Sequence, residues 1–154
     1  PELFQALFPF ELDPFQTEAL RGLAGRNNVI VSAPTGSGKT VVGELAVYYA
    51  LALNLRQAEH SQSSMLVFYT TPLKALSNQK FQDFRRQFGE DKVGLLTGDS
   101  SFNRDAQASN VAVMTTEVFR NMLYDSEETG ELDDVFAVVF DEFHYMNDRD
   151  RGTV

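Results

Sequence analysis

The sequence predicts an α/β fold, a mainly parallel sheet with helices on both faces. Three observations lead there. Segments with apolar residues at helical spacing alternate along the chain with short apolar runs. The glycine-rich stretch Ala33-Pro34-Thr35-Gly36-Ser37-Gly38-Lys39-Thr40 stands between one such run, Val29-Ile30-Val31, and a helical stretch that opens Val41-Val42-Gly43-Glu44. Near the far end, Val135-Phe136-Ala137-Val138-Val139-Phe140 is unbroken apolar sequence, the pattern of a strand buried on both faces of a parallel sheet.

The elements follow in order. Asp13 precedes Pro14, with Gln16 at the capping-box position, so a helix is expected from Pro14 to about Gly25. Residues 28–32 are expected to form the first strand. Val42, Leu45, Ala46 and Tyr49 then keep helical spacing, and this helix should fray near Asn54, before a polar surface loop over 56–63 that holds His60. Residues 65–70 read as a buried strand, and 73–88 as an amphipathic helix stopped at Gly89. Residues 93–96 and 111–115 read as short strands, with a helix over 117–124 after the second. An acidic loop around Gly130 leads into the strand at 135–140.

At 154 residues the chain fits one domain, with no internal repeat. The hydrophobic fraction of 43% describes a globular protein, and no apolar run nears the ~18 residues of a membrane span. The absence of cysteine removes disulfides and thiolate metal sites, which fits an intracellular protein in the cytoplasm, nucleus or plastid alike. A net charge of −9 argues against a polybasic nucleic-acid binder, so any such contact must be local. Lys74, Lys80, Arg85, Arg86, Arg104 and Arg120 are the candidates; the acids of 127–134 and 148–150 read as solvated loops.

The glycine-rich stretch is a phosphate-binding loop by its spacing. Gly36 and Gly38 let backbone N–H groups close around phosphate oxygens, with Pro34, Thr35 and Ser37 completing the wrap. Lys39 reaches the β- and γ-phosphates and Thr40 offers its hydroxyl to Mg²⁺. Ala33 replaces the commoner Gly without touching the wrapping residues. The following helix adds its positive N-terminal end. The second chemical motif is Asp141-Glu142-Phe143-His144, directly after the last strand. Carboxylates at the carboxyl end of a buried strand lie where open α/β sheets bind ligands. Beside a phosphate loop, Asp141 would hold Mg²⁺ and Glu142 would polarise the attacking water; two acids after a strand also suit a plain helix N-terminus. Thr70, Thr71, Thr115 and Thr116 fall at strand ends, while Pro72 and Glu117 open helices. Such an edge could grip phosphates without base specificity, or its threonines could be ordinary caps.

These motifs together resemble the first ATPase domain of superfamily 2 DExH-box RNA helicases, in the superkiller and exosome-cofactor branch with its plant organellar relatives. The likeness runs over essentially the whole chain. Phe8-Pro9-Phe10-Glu11-Leu12-Asp13-Pro14-Phe15-Gln16 is similar to the family's Q motif, which implies that Phe10 stacks on adenine and Gln16 bonds its edge. Tyr69-Thr70-Thr71-Pro72-Leu73-Lys74-Ala75-Leu76-Ser77-Asn78-Gln79-Lys80 resembles motif Ia. Leu96-Thr97-Gly98-Asp99 and Met114-Thr115-Thr116-Glu117 resemble the next two motifs, which touch the backbone of a single strand in the family. The implied nucleic-acid residues are therefore Thr71, Pro72, Lys74, Asn78, Gly98, Asp99, Thr115, Thr116 and Glu117. His144 is implied to couple the ATP and RNA sites, although a locally satisfied polar residue reads the same. Phe143 departs from the more usual Val of the box.

The resemblance implies a RecA-like P-loop domain that uses ATP and Mg²⁺ and binds single-stranded RNA without sequence preference. It implies 3′-to-5′ unwinding or translocation in RNA processing or decay, within a processing or decay complex and not at a membrane. It also implies that residues 1–154 stop short of the motif III strand, which in the family lies between the strands expected at 28–32 and 135–140. A second RecA-like domain is then missing, and the 154 residues alone would bind nucleotide without unwinding RNA. A superfamily 2 DNA helicase or translocase, and a nucleotide-regulated nucleic-acid-binding module, are the alternative readings.

Overall fold

A computed structural model describes residues 2–57, 65–98, 110–129, 132–133 and 135–144. A one-turn helix α1 (Glu2–Gln5), which periodicity did not suggest, precedes α2 (Pro14–Ala24). The Asp13 N–H donates to the Gln16 side-chain oxygen at 2.8 Å, the capping contact expected at the start of α2. Helix α3 (Lys39–Gln57) begins on the phosphate loop and runs past Asn54. That asparagine does not break the helix because its amide is engaged from both ends: Asn54 Nδ2 donates to the Met65 carbonyl at 3.0 Å, and Met65 N–H donates to Asn54 Oδ1 at 2.6 Å. The contact pins the entry to strand β1 (Leu66–Thr71) against the last turns of α3.

Helix α4 (Lys74–Phe88) ends at Gly89, whose φ of 105° lies in the left-handed region that favours glycine. A short 3₁₀ turn, Glu90–Lys92, leads into β2 (Val93–Leu95). Strand β3 (Val111–Thr115) passes directly into α5 (Thr116–Thr129), a longer helix than the expected 117–124, and β4 (Val135–Phe140) completes the set. His60, Arg104, Asp99, the polar stretch 58–64 and the segment 145–154 lie outside the described residues, as do Gly130, Glu131 and Asp134 of the acidic loop.

All four strands are parallel, in the order β2-β3-β1-β4. Period-2 alternation divides their side chains between two helix layers. On one face Val67, Tyr69, Val93, Val111 and Val113 pack against Val47 and Ala50 of α3 and Phe84 and Phe88 of α4. On the other, Leu66, Phe68, Ala112 and Met114 pack against Phe119 and Met122 of α5. Helix α2 docks outside α3 through Leu12, Leu20 and Leu45. The first layer is aromatic: Tyr69 meets Phe84 edge to face at 4.9 Å, and Phe84 meets Phe88 at 5.2 Å. Such pairs are each worth about 0.5–1.5 kcal/mol beyond their burial. Among the described residues no helix is long and apolar enough to cross a membrane.

Two expectations are corrected. Residues 28–32 form no strand, and Ile30 is 93% exposed. A strand exists through its pairing, and no described strand lies alongside this segment, so its apolar character alone does not order it. Strand β4 has the expected bounds but is only half-buried, because it lies at the edge of the described sheet with β1 as its partner.

Candidate nucleotide site

The loop entering α3 has the backbone its sequence implies. Gly36 and Gly38 adopt φ of 81° and 84°, left-handed values that strain any residue with a Cβ. Between them Ser37 N–H donates to the Pro34 carbonyl at 3.2 Å, and Val41 N–H donates to the Gly38 carbonyl at 3.1 Å. Lys39 arches over the loop, its Nζ donating to the Ala33 carbonyl at 2.6 Å. Ser37 Oγ is buried with no hydrogen-bond partner among the described residues. An orphaned hydroxyl just before the positive end of α3 fits an anionic group.

Gln16 contacts this loop directly. It is buried, and its Nε2 donates to the Gly38 carbonyl at 3.0 Å while its Oε1 accepts from Asp13 N–H. A Cβ at position 38 would stand 2.7 Å from Gln16 Nε2, so any other residue there would displace the Gln16 amide as well as strain φ. Phe10 is half exposed, its ring 5.4 Å from that of Phe8, and is open to stacking. A cavity of about 500 Å³ lies between Glu11, Leu12, Asp13, Pro14, Thr17 and Arg21; its lining includes neither Phe10 nor the loop.

Asp141 follows β4 at its carboxyl end and is held at three points. Its N–H donates to the Thr70 carbonyl at 3.0 Å, its Oδ2 accepts from the Tyr69 hydroxyl at 2.7 Å, and its Oδ1 accepts from Glu142 N–H at 2.9 Å. Glu142 has a φ of 56°, a left-handed value costing a non-glycine residue roughly 1–3 kcal/mol. Glu142 Oε2 lies 3.2 Å from His144 Nε2, so these two predicted site residues are brought together. Burial, and then the Asp141 carboxylate beside it, push the Tyr69 phenol well above the usual tyrosine range, so Tyr69 stays a neutral donor.

Tyr69 also connects Asp141 to the phosphate-loop helix. A Cβ on Gly43 would stand 2.8 Å from Tyr69 Cε2 and 3.2 Å from the Tyr69 hydroxyl, so the ring lies directly on α3. Thr40 is three residues before Gly43 and shares its helix face. Tyr69, which lies against that helix at Gly43, donates to Asp141, so the helix carrying Thr40 and the Asp141 carboxylate are joined through one ring. One carboxylate and a hydroxyl, completed by phosphate oxygens and water, is a donor set that suits Mg²⁺.

The predicted nucleic-acid residues divide. Because the strands are parallel, the ends of β1 and β3 and the segment after β2 share one edge, with Thr71 opposite Thr115. Lys74, Asn78, Gly98 and Glu117 are exposed there, and Pro72 is partly so. The threonines are engaged within the fold. Thr71 is buried; its hydroxyl donates to the Leu73 carbonyl at 3.1 Å and shares a hydrogen bond with Ser77 Oγ at 2.7 Å. Thr115 Oγ1 accepts from Val118 N–H at 3.3 Å, capping α5, and Thr116 Oγ1 donates to the Thr71 carbonyl at 3.3 Å. The Thr116 hydroxyl thus ties the end of β3 to that of β1, while the other two fasten each strand end to its following helix.

The family model described as DEAD/DEAH box helicase matches residues 13–154. The chain belongs to this family. It is 49% identical over 154 residues to the chloroplastic DExH-box ATP-dependent RNA helicase DExH15 of Arabidopsis thaliana, covering 97% of this chain and 12% of that protein. It is 47% identical over 147 residues to the antiviral helicase SKI2 of Saccharomyces cerevisiae, covering 96% of this chain and 10% of the relative. It is 46% identical over 147 residues to the ATP-dependent RNA helicase mtr4 of Schizosaccharomyces pombe, covering 96% and 12%. The chain therefore spans about an eighth or less of each of these helicases.

Within the helicase domain, sequence reasoning passed over Tyr69 and Gly43. The only signal was a hydroxyl inside an apolar strand, which needs a polar partner when buried but does not say which. Phe143, the departure from the usual box, is 59% exposed and meets the Phe140 ring at 6.4 Å.

Proposed function

We propose that the protein carrying this chain is an ATP-dependent RNA helicase, and that residues 1–154 are the ATP-binding part of the first of two RecA-like domains. The observation that supports this most is the triple hold on Asp141 beside the phosphate-loop helix, with Glu142 on a strained backbone next to it. The names of DExH15 and mtr4 favour RNA over DNA.

In this reading Gly36, Ser37, Gly38 and Lys39 bind the β- and γ-phosphates, and Thr40 and Asp141 hold Mg²⁺. The cation supplies charge neutralisation across those phosphates. Glu142 orients a water against the γ-phosphorus and takes its proton, while the bond to the β–γ bridging oxygen breaks. His144, in contact with Glu142, reports the state of that carboxylate toward the second domain. Closure against that domain completes the site; loss of an arginine finger can cost ~10³ to 10⁵ in rate. RNA lies along the edge formed by Pro72, Lys74, Asn78, Gly98 and Glu117. Thr71, Thr115 and Thr116 shape that edge, their hydroxyls bonded within the fold, and leave their backbone to meet the strand. Phosphate contacts of this kind make binding sequence-tolerant and salt-sensitive. The protein acts inside the cell, in RNA processing or decay.

The test is ATP turnover by the full-length protein with single-stranded RNA or DNA of the same sequence. Stimulation by RNA supports the proposal. Stimulation by DNA alone would make the protein a DNA translocase, and ATP binding without turnover would make it a nucleotide-regulated binding module.

A further inference from the structure

Tyr69 lies in the middle of β1 with 1% of its surface exposed, yet its hydroxyl emerges at the one carboxylate that closes the phosphate site. The ring is clamped on every side. Phe84 meets it edge to face, Lys80 Nζ stands 5.6 Å from its centroid, and α3 approaches so closely that only glycine fits at position 43. The phenol therefore has one place to point, and its proton has Asp141 Oδ2 as acceptor at 2.7 Å. With Oδ1 accepting from Glu142 N–H, the Asp141 carboxylate cannot rotate without losing a charge-assisted bond.

We propose that Tyr69 is a positioning residue for Asp141, fixing the carboxylate in the orientation that receives the nucleotide-bound Mg²⁺. Partners of metal-binding side chains commonly matter in this way, and their loss costs about 10–100-fold in metal affinity or activity. The inference rests on the reading of Asp141 as a Mg²⁺ ligand. It adds a residue of the strand that leads to the nucleic-acid edge, two positions before Thr71.

The test uses the full-length protein and a fluorescent ADP analogue, whose Kd is measured with Mg²⁺ and with a chelator in place of Mg²⁺. The chelator Kd divided by the Mg²⁺ Kd isolates the contribution of the metal. In the wild type the chelator should weaken binding. Tyr69→Phe keeps the ring and removes only the hydroxyl; it should lower the ratio by about tenfold while leaving the chelator Kd within about a factor of two. A merely structural role would weaken both Kd values together, and that result would overturn the proposal, as would an unchanged ratio. Gly43→Ala pushes the ring from the helix side and should lower the same ratio; no change there also counts against it. If the wild type itself binds equally with and without Mg²⁺, the Mg²⁺ reading of Asp141 fails first and takes this inference with it.

Discussion

The side-chain amide of Gln16 donates to the Gly38 carbonyl at 3.0 Å, joining the start of α2 to the middle of the phosphate loop. The residue expected to read adenine is thus also a strut of the loop that binds phosphate. Gln16→Ala would leave the Gly38 carbonyl and Asp13 N–H without their protein partner and remove the tie between α2 and the loop, a loss of about 0.5–1.5 kcal/mol for each part-buried hydrogen bond. In competition assays on the full-length protein ATP and GTP should both bind more weakly, ATP the more so. Loss of ATP affinity alone would confine Gln16 to adenine, and unchanged affinity for both would remove it from the site.

Lys39→Ala takes away both the charge and the bond that arches from Lys39 Nζ to the Ala33 carbonyl. Calorimetry should find ATP affinity reduced by at least about tenfold, the scale of a lost charge-assisted hydrogen bond. Undiminished binding would contradict the assignment of the loop.

Strand β4 pairs with β1 on one side, while Ile30 stands exposed in a segment that has strand-like sequence and no strand partner among the described residues. A further strand between β4 and 28–32 would satisfy both. Extending the 154-residue chain through the next strand should therefore raise its melting temperature, at about 2–4 °C per kcal/mol gained for a domain of this size. The unextended chain should associate through its open edge. A sharp, high-temperature transition of a monomer that the extension leaves unchanged would refute the inferred strand order.

That contrast explains what was legible in the sequence. Apolar runs bounded by polar residues located β3 and β4 to the residue, and the Asp13-Pro14-Gln16 signal located the start of α2, because these are local patterns. Glycines at fixed spacing exposed the phosphate loop for the same reason. Residues 28–32 misled because strand formation depends on a neighbour that local pattern does not contain. The Tyr69–Asp141 bond joins positions 72 apart, and the Gln16–Gly38 bond positions 22 apart. The threonines of the sheet edge were legible as strand ends, but whether a hydroxyl faces solvent or Ser77 is decided by packing.

The central claim is that Asp141 and Glu142 divide the chemistry, one holding the metal and the other activating water. Single-turnover hydrolysis of bound ATP by full-length Glu142→Gln, with RNA present, tests it most directly. Nucleotide should bind with affinity near that of the wild type while cleavage slows by at least about 100-fold, within the range general acid–base catalysis supplies. Cleavage at close to the wild-type rate would contradict it.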